Sequence, residues 1–252
     1  MFRLLMLMLV MLVSCCSFQA RAGGLLVPAY FDPETDQTDW SRLIYAAPEV
    51  SLQVIINPNS GPGSGMNIYY RNNVRALQSA GAKVLGYVHT SYGKRPLIQV
   101  EGEIAKYMAW YGADGIFVDE MASNATASTL GYYTQLAKFI RNYGSSKLIM
   151  ANPGTSFSLK FLTQNTADVY IDDEDLMVNV MTTPQASWVL RWPATRFAEI
   201  SIASHQDGEQ ALWLLSQRHV GWVYATTLSL NPDPYASLPA DFELEVASVS
   251  VY

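Results

Sequence analysis

Eight short apolar runs, separated by longer amphipathic stretches, recur between residues 24 and 226, and this alternation is the strongest constraint on how the chain can fold. A run that is apolar at successive positions, rather than at every second one, predicts a strand covered on both faces, as in a parallel sheet. The runs lie at 25–31, Leu52–Ile56, 83–88, 115–118, 147–151, 168–171, 198–203 and Trp222–Thr226. Apolar spacing near 3.6 predicts helices over Ile68–Ala80, 102–110, 129–143 and 208–218, and Gly81 and Gly144 are placed to stop two of them. Strands alternating with helices are βα units, and eight of them predict an α/β fold, a single-domain (β/α)8 TIM barrel over residues 23–252. An open doubly wound sheet is the alternative. The length of 252 residues suits one such domain, and a chain that is 50% apolar can fill its core. Residues 231–239 form a Pro-rich exit from the last strand, and the tail to Tyr252 is expected to pack under the barrel or add an edge strand.

The first 22 residues read as a targeting segment. Arg3 precedes an apolar run from 4 to 13, too short to span a bilayer and patterned like a signal peptide. Ala20-Arg21-Ala22 offers cleavage before Gly23; alternatively Leu12-Val13-Ser14-Cys15 resembles a lipobox, which would leave Cys15 acylated. Either reading predicts a secreted, periplasmic or cell-surface protein that meets a membrane only through a lipid anchor at Cys15. Both cysteines lie in this segment, so the folded body is expected to hold no disulfide, thiol nucleophile or cysteine metal site. A sequon, Asn124-Ala125-Thr126, has meaning only in a eukaryotic host. The net charge of -6 and the lack of a basic cluster exclude a phosphate-backbone binder, so no nucleic-acid partner is expected, and the chain reads as a monomer. Acidity is compatible with a cationic amino sugar and equally with ordinary solubility.

Polar residues collect where the predicted strands end. Asp32, Asn57, His89, Asp119, Glu120, Asn152, Asp172, Asp173, Glu174 and His205 would ring the C-terminal mouth of a barrel, where barrel enzymes do their chemistry. Each has a local alternative: Asp32 and Asn57 precede prolines and can hold turns, Asn152 can cap a loop, and His89 can be a satisfied core histidine. Ten such residues at one end are better explained by a site. Paired carboxylates flanking a glycosidic bond are the requirement of glycoside hydrolysis, and Asp119 or Glu120 on the fourth strand can face Glu174 on the sixth. Neighbours on a strand point opposite ways, so one of Asp119 and Glu120 is expected to point straight in while the other orients it or binds substrate. Tyr30, Phe31 and Tyr92 can stack on sugar faces, and Tyr30, Asp32, Asn57, His89, Tyr92, Asn152 and His205 are the candidate substrate-binding residues. Other chemistries fit less well. No Gly-x-Ser-x-Gly elbow is present, and the glycine-rich stretch 57–65 lacks the lysine of a phosphate loop. His89, Asp119, Glu120 and His205 lack the short spacing of a metal motif, so neither metal nor cofactor is expected.

These stretches also carry a family likeness. Gly24-Leu-Leu-Val-Pro-Ala-Tyr30, Val54-Ile-Ile-Asn-Pro-Asn-Ser-Gly-Pro-Gly63, Ala80-Gly-Ala-Lys-Val-Leu-Gly-Tyr-Val88 and Asp114-Gly-Ile-Phe-Val-Asp-Glu120 resemble the spherulin-4, or spherulation-specific family 4, proteins. Asn152-Pro-Gly154, Ala167-Asp168 with Glu174, and Gly221-Trp-Val-Tyr224 continue the likeness in order to about residue 240. The resemblance implies a (β/α)8 glycoside hydrolase acting on α-1,4-linked galactosamine and N-acetylgalactosamine polymers, such as fungal galactosaminogalactan and the bacterial Pel exopolysaccharide. It places the catalytic carboxylates on Asp119, Glu120 and Glu174. Asp173 stands where the family usually has an aromatic, which puts the register of the second acid in question and is expected to crowd it with charge. The combined expectation is an exported endo-acting glycosidase on a polysaccharide substrate, with Asp119 as nucleophile or base, Glu174 as general acid and Glu120 in support, the first two roles being exchangeable. A non-catalytic surface protein that binds polysaccharide in the same groove, and a barrel hydrolase on another sugar, are the alternatives.

Overall fold

The computed structural model describes residues 23–252. The leader read over 1–22 and its processing site therefore lie outside the described residues. Eight parallel strands close on themselves in sequence order: β1 (Gly24–Ala29), β2 (Leu52–Ile56), β3 (Lys83–His89), β4 (Gly115–Asp119), β5 (Leu148–Ala151), β6 (Val169–Leu176), β7 (Phe197–Ile202) and β8 (Trp222–Thr226). β1 completes the barrel by pairing Gly24 with Trp222 and Leu25 with Val223. Outside run α1 (Gln37–Ala46), α2 (Ile68–Ala80), α3 (Leu97–Lys106), α4 (Ala127–Arg141), the short α5 (Leu159–Thr163) and α6 (Met177–Val180), α7 (Asp207–Gln217) and α8 (Phe242–Ser250). The fold is the predicted (β/α)8 barrel.

Local chemistry sets several boundaries. Asn67 starts α2 by accepting from the Tyr69 and Tyr70 amides, and Gly81 ends it in a left-handed conformation at φ 107°. α3 continues into a π-helical turn, Tyr107–Tyr111, that buries Tyr107 and Tyr111. The Tyr107 ring occupies the space beside Gly86, where an added Cβ would stand 2.3 Å from the ring. Gly86 thus gives its face of β3 to the helix layer and leaves the next residue, Tyr87, for the opposite face, toward the barrel axis.

Two expectations are corrected, and one helix is added. The tail neither lies under the barrel nor adds a strand: it forms α8, packed against α7 and touching α1 and β1. α1 was not expected, because its buried positions are only Asp39, Trp40, Leu43 and Ala46. β6 does not stop before the acids but runs through them to Leu176, with its pairing to β7 shifted between Ile171 and Asp173.

Candidate active site

Asp119 is the last residue of β4, and Glu174 lies within β6. Asn152, just past β5, joins them: its amide nitrogen donates to Asp119 Oδ1 at 2.9 Å and to Glu174 Oε2 at 2.5 Å. The two oxygens therefore lie no further apart than about 5.4 Å, the two bonds laid end to end. Asn152 is fixed by its own backbone, which donates to the Val118 carbonyl (2.8 Å) and accepts from the Met121 amide (2.9 Å), extending the β4–β5 ladder past the strand ends. The other oxygens of the pair meet tyrosines. Tyr87 Oη donates to Asp119 Oδ2 at 2.7 Å, and Tyr235 Oη donates to Glu174 Oε1 at 2.5 Å. Tyr30 packs edge-on against both rings, at 5.7 Å from Tyr87 and 5.4 Å from Tyr235.

Burial raises both carboxyls above their ordinary range. For Asp119 the hydrogen bonds from Tyr87, the Glu120 backbone and Asn152 oppose that rise. For Glu174 Tyr235 and Asn152 oppose it, while the nearby Asp119 charge adds to it. Burial, then the charges of Asp119 and Glu174 among its neighbours, likewise pushes the Tyr30 hydroxyl up. Two acids that share one donor, with the Asp119 charge raising Glu174, interact closely enough to titrate as a pair.

Glu120 takes a different course. Its backbone is left-handed, at φ 49°, uncommon for a residue with a side chain. The bend turns its carboxylate toward the rim, where Oε2 accepts from the Ser91 amide (3.1 Å) and meets His89 Nδ1 (3.3 Å). The facing loop holds it in return: Tyr92 N donates to the Glu120 carbonyl at 2.7 Å and Thr90 Oγ1 at 2.8 Å. Ser91 and Tyr92 are also left-handed, so three strained residues in two loops brace one another. Tyr92 is left 56% exposed, an aromatic face at the rim.

The structure thus brings together Asp119, Glu120, Glu174, Tyr30, His89, Tyr92 and Asn152. It does not bring in the others. Asp32 accepts from the Glu34 amide in a turn (2.8 Å), and Asn57 Oδ1 accepts from the Gly61 amide (2.9 Å), shaping its own loop. His205 lies exposed in a surface groove beside Met177, Met181 and Trp213. Asp172 and Asp173 do not crowd Glu174. The extra residue at the β6 irregularity is a bulge, which reverses the alternation of side chains beyond it. Asp172 accepts from Gln185 Nε2 (3.0 Å), and both aspartates sit near Arg218, which pairs with the buried Glu199. Without the bulge, the side chain of Asp173 rather than that of Glu174 would face the barrel axis. Two donors in the site were not foreseen. Tyr87 lies two residues inside the end of β3, and Tyr235 lies beyond the last strand altogether, so reading strand ends alone passes over both.

A closed barrel of eight parallel strands is a fold shared with solved glycosidase structures. An α-L-fucosidase from Paenibacillus thiaminolyticus superposes with a TM-score of 0.55 at 11% identity, covering 90% of this chain and 48% of that one. The crystal structure of Aspergillus clavatus Sph3 in complex with GalNAc superposes with a TM-score of 0.78 at 24% identity, covering 90% of this chain and 97% of that one. The spherulation-specific family 4 model matches residues 24–249, and the chain belongs to that family. Spherulin-4 of Physarum polycephalum is 31% identical over 238 residues, which are 89% of this chain and 69% of the relative.

Proposed function

We propose that this protein is a glycoside hydrolase that cleaves α-1,4-linked galactosamine or N-acetylgalactosamine polysaccharide, acting outside the cytoplasm. One observation carries the reading: Asp119, at the end of β4, and Glu174, in β6, converge across β5 on the single amide of Asn152. A pair this close matches the spacing of about 5–5.5 Å at which one carboxyl can attack the sugar while the other serves the leaving group, which favours retention of configuration. Asp119 collects three donors against two for the more deeply buried Glu174, so Asp119 is the better anion and Glu174 the better proton holder. Glu174 then gives its proton to the glycosidic oxygen as the C1–O bond breaks, and Asp119 forms an ester with C1. A water next adds to C1, returning a proton to Glu174 as the ester bond breaks. Glu120, held at the rim by Ser91 and His89, supports the pair and faces the sugar or its amino group. The substrate class rests on family membership and on the GalNAc held by Sph3.

The test incubates purified protein with Pel, galactosaminogalactan and a panel of other glycans. Oligosaccharide release by the wild type, lost in Asp119→Ala, is the expected result. Binding without release, or equal release by Asp119→Ala, sinks the catalytic reading and leaves a polysaccharide-binding protein.

A further inference from the structure

The donor to Glu174 comes from an unusual place. Tyr235 belongs to the connection between β8 and α8, residues 227–241, and not to the barrel. The connection is tied back over the mouth: the Tyr30 amide donates to the Tyr235 carbonyl (3.3 Å), and the Ala203 amide to the Leu228 carbonyl (3.1 Å). Its anchoring continues at Leu238, whose amide donates to Asp39 Oδ2 in α1 (2.7 Å). Tyr235 is only 8% exposed, and its ring packs against Tyr30 and, at 6.3 Å, Tyr224. A tyrosine hydroxyl buried this way can send its proton to very few acceptors, and Glu174 Oε1 is the one it meets.

The pair therefore has two flanking hydroxyls in mirrored places, Tyr87 on Asp119 and Tyr235 on Glu174, with Asn152 between. Asn152 donates to both acids and so opposes a proton on each of them. Each flanking hydroxyl donates to one acid. A hydroxyl donating to a carboxylate stabilises the charged form, and removing it lets that carboxyl hold its proton to higher pH. We propose that Tyr235 is a positioning residue which, balanced against Tyr87, decides which of Asp119 and Glu174 carries the proton the pair shares. The inference rests on the paired-carboxylate reading above and adds to it a control element lying outside the barrel. When Glu174 is charged, after it has given up its proton, Tyr235 donates to it; when Glu174 is protonated, the same short contact reverses and the carboxyl donates to Tyr235 Oη. The titratable groups facing Glu174 are Asp119 from β4, Tyr87 from β3, Tyr30 beside β1 and Tyr235 itself, with Glu120 and His89 beyond at the rim. Of these only Tyr235 and Asp119 differ in their effect on Glu174 by donating a bond or carrying a charge next to it.

The experiment compares Tyr235→Phe and Tyr87→Phe with the wild type by the pH profile of kcat/KM. In parallel, the side-chain carboxyl carbons of Glu174 and Asp119 are titrated by 13C NMR in the free protein. With Glu174 as the acid, Tyr235→Phe moves the alkaline limb up by about one pH unit, and Tyr87→Phe moves the acid limb up instead. If the roles of the acids are exchanged, the two limbs exchange with them, and the proposal stands with the other assignment. A uniform fall in rate with both limbs unmoved, together with an unchanged Glu174 titration, overturns it and leaves Tyr235 a packing residue. A wild type that turns over nothing defeats the proposed activity, yet the NMR titration still decides the role of Tyr235.

Discussion

The mouth and the wedge between α7, α8 and β8 each bury carboxyls, and the contrast between them separates the proposed catalytic pair from a structural one. In the mouth all four carboxyl oxygens of Asp119 and Glu174 meet a donor, from Tyr87, Asn152 or Tyr235. In the wedge Asp207 and Glu245 are fully buried, the Ala225 amide donates to one oxygen of Glu245, and Asp241 stands beside Asp207. Burial, with Asp241 beside it, pushes the Asp207 carboxyl up to about 8, and Glu245 is raised by burial as well. Burial beside a second carboxyl therefore favours the protonated form. Burial with matched donors leaves an acid free to change charge, which catalysis by proton transfer needs.

The sharpest way to break this contrast is a paired isosteric change. Glu174→Gln is expected to cut turnover by about a thousandfold or more while leaving the melting temperature close to wild type. Glu245→Gln, which changes a buried carboxyl away from the mouth, should retain activity within about twofold. Comparable losses in both would erase the distinction. Next in size, Asn152→Ala removes the shared donor and frees each acid to move, and about a ten- to hundredfold loss in kcat is expected by steady-state kinetics. The smallest effect sharpens the other side. An acid whose carboxyl sits above its ordinary value in the folded protein favours folding least when it is ionised. Asp207 therefore costs stability progressively as pH rises from about 4 to about 8. Asp207→Asn should raise the melting temperature by about 3 °C at pH 8.5 and have little effect at pH 4. An equal shift at both values would show that ionisation of Asp207 is not the cause.

The barrel was legible because its strands are continuous apolar runs and because Gly81 marks the helix before β3. α2 was readable to both ends, since its cap and its stop are local chemistry. α8 was not, because its buried face includes Glu245, and a buried acid breaks the apolar period. The convergence of Asp119, Asn152 and Glu174 follows from strand order alone once the barrel closes. The outward turn of Asp172 and Asp173 does not, because a bulge among four consecutive acids leaves no trace in hydropathy. Asp32 and Asn57 stand at strand ends, yet one oxygen of each accepts from an amide two or four residues away and shapes its own loop. Tyr235 carried no sequence signal, because its place is set by the folding of a connection and not by the period of an element.

The bulge at Asp172 has a consequence for how relatives of this chain are compared. Two carboxylates flank Glu174 in Asp172-Asp173-Glu174-Asp175, and sliding an alignment by a single column exchanges it for one of them at no penalty in chemical similarity. Such a slip would nominate a side chain on the wrong face of the strand. The bulge shifts the alternation, so Glu174, three residues past Ile171, takes the inward place that unbroken pairing would give to Asp173.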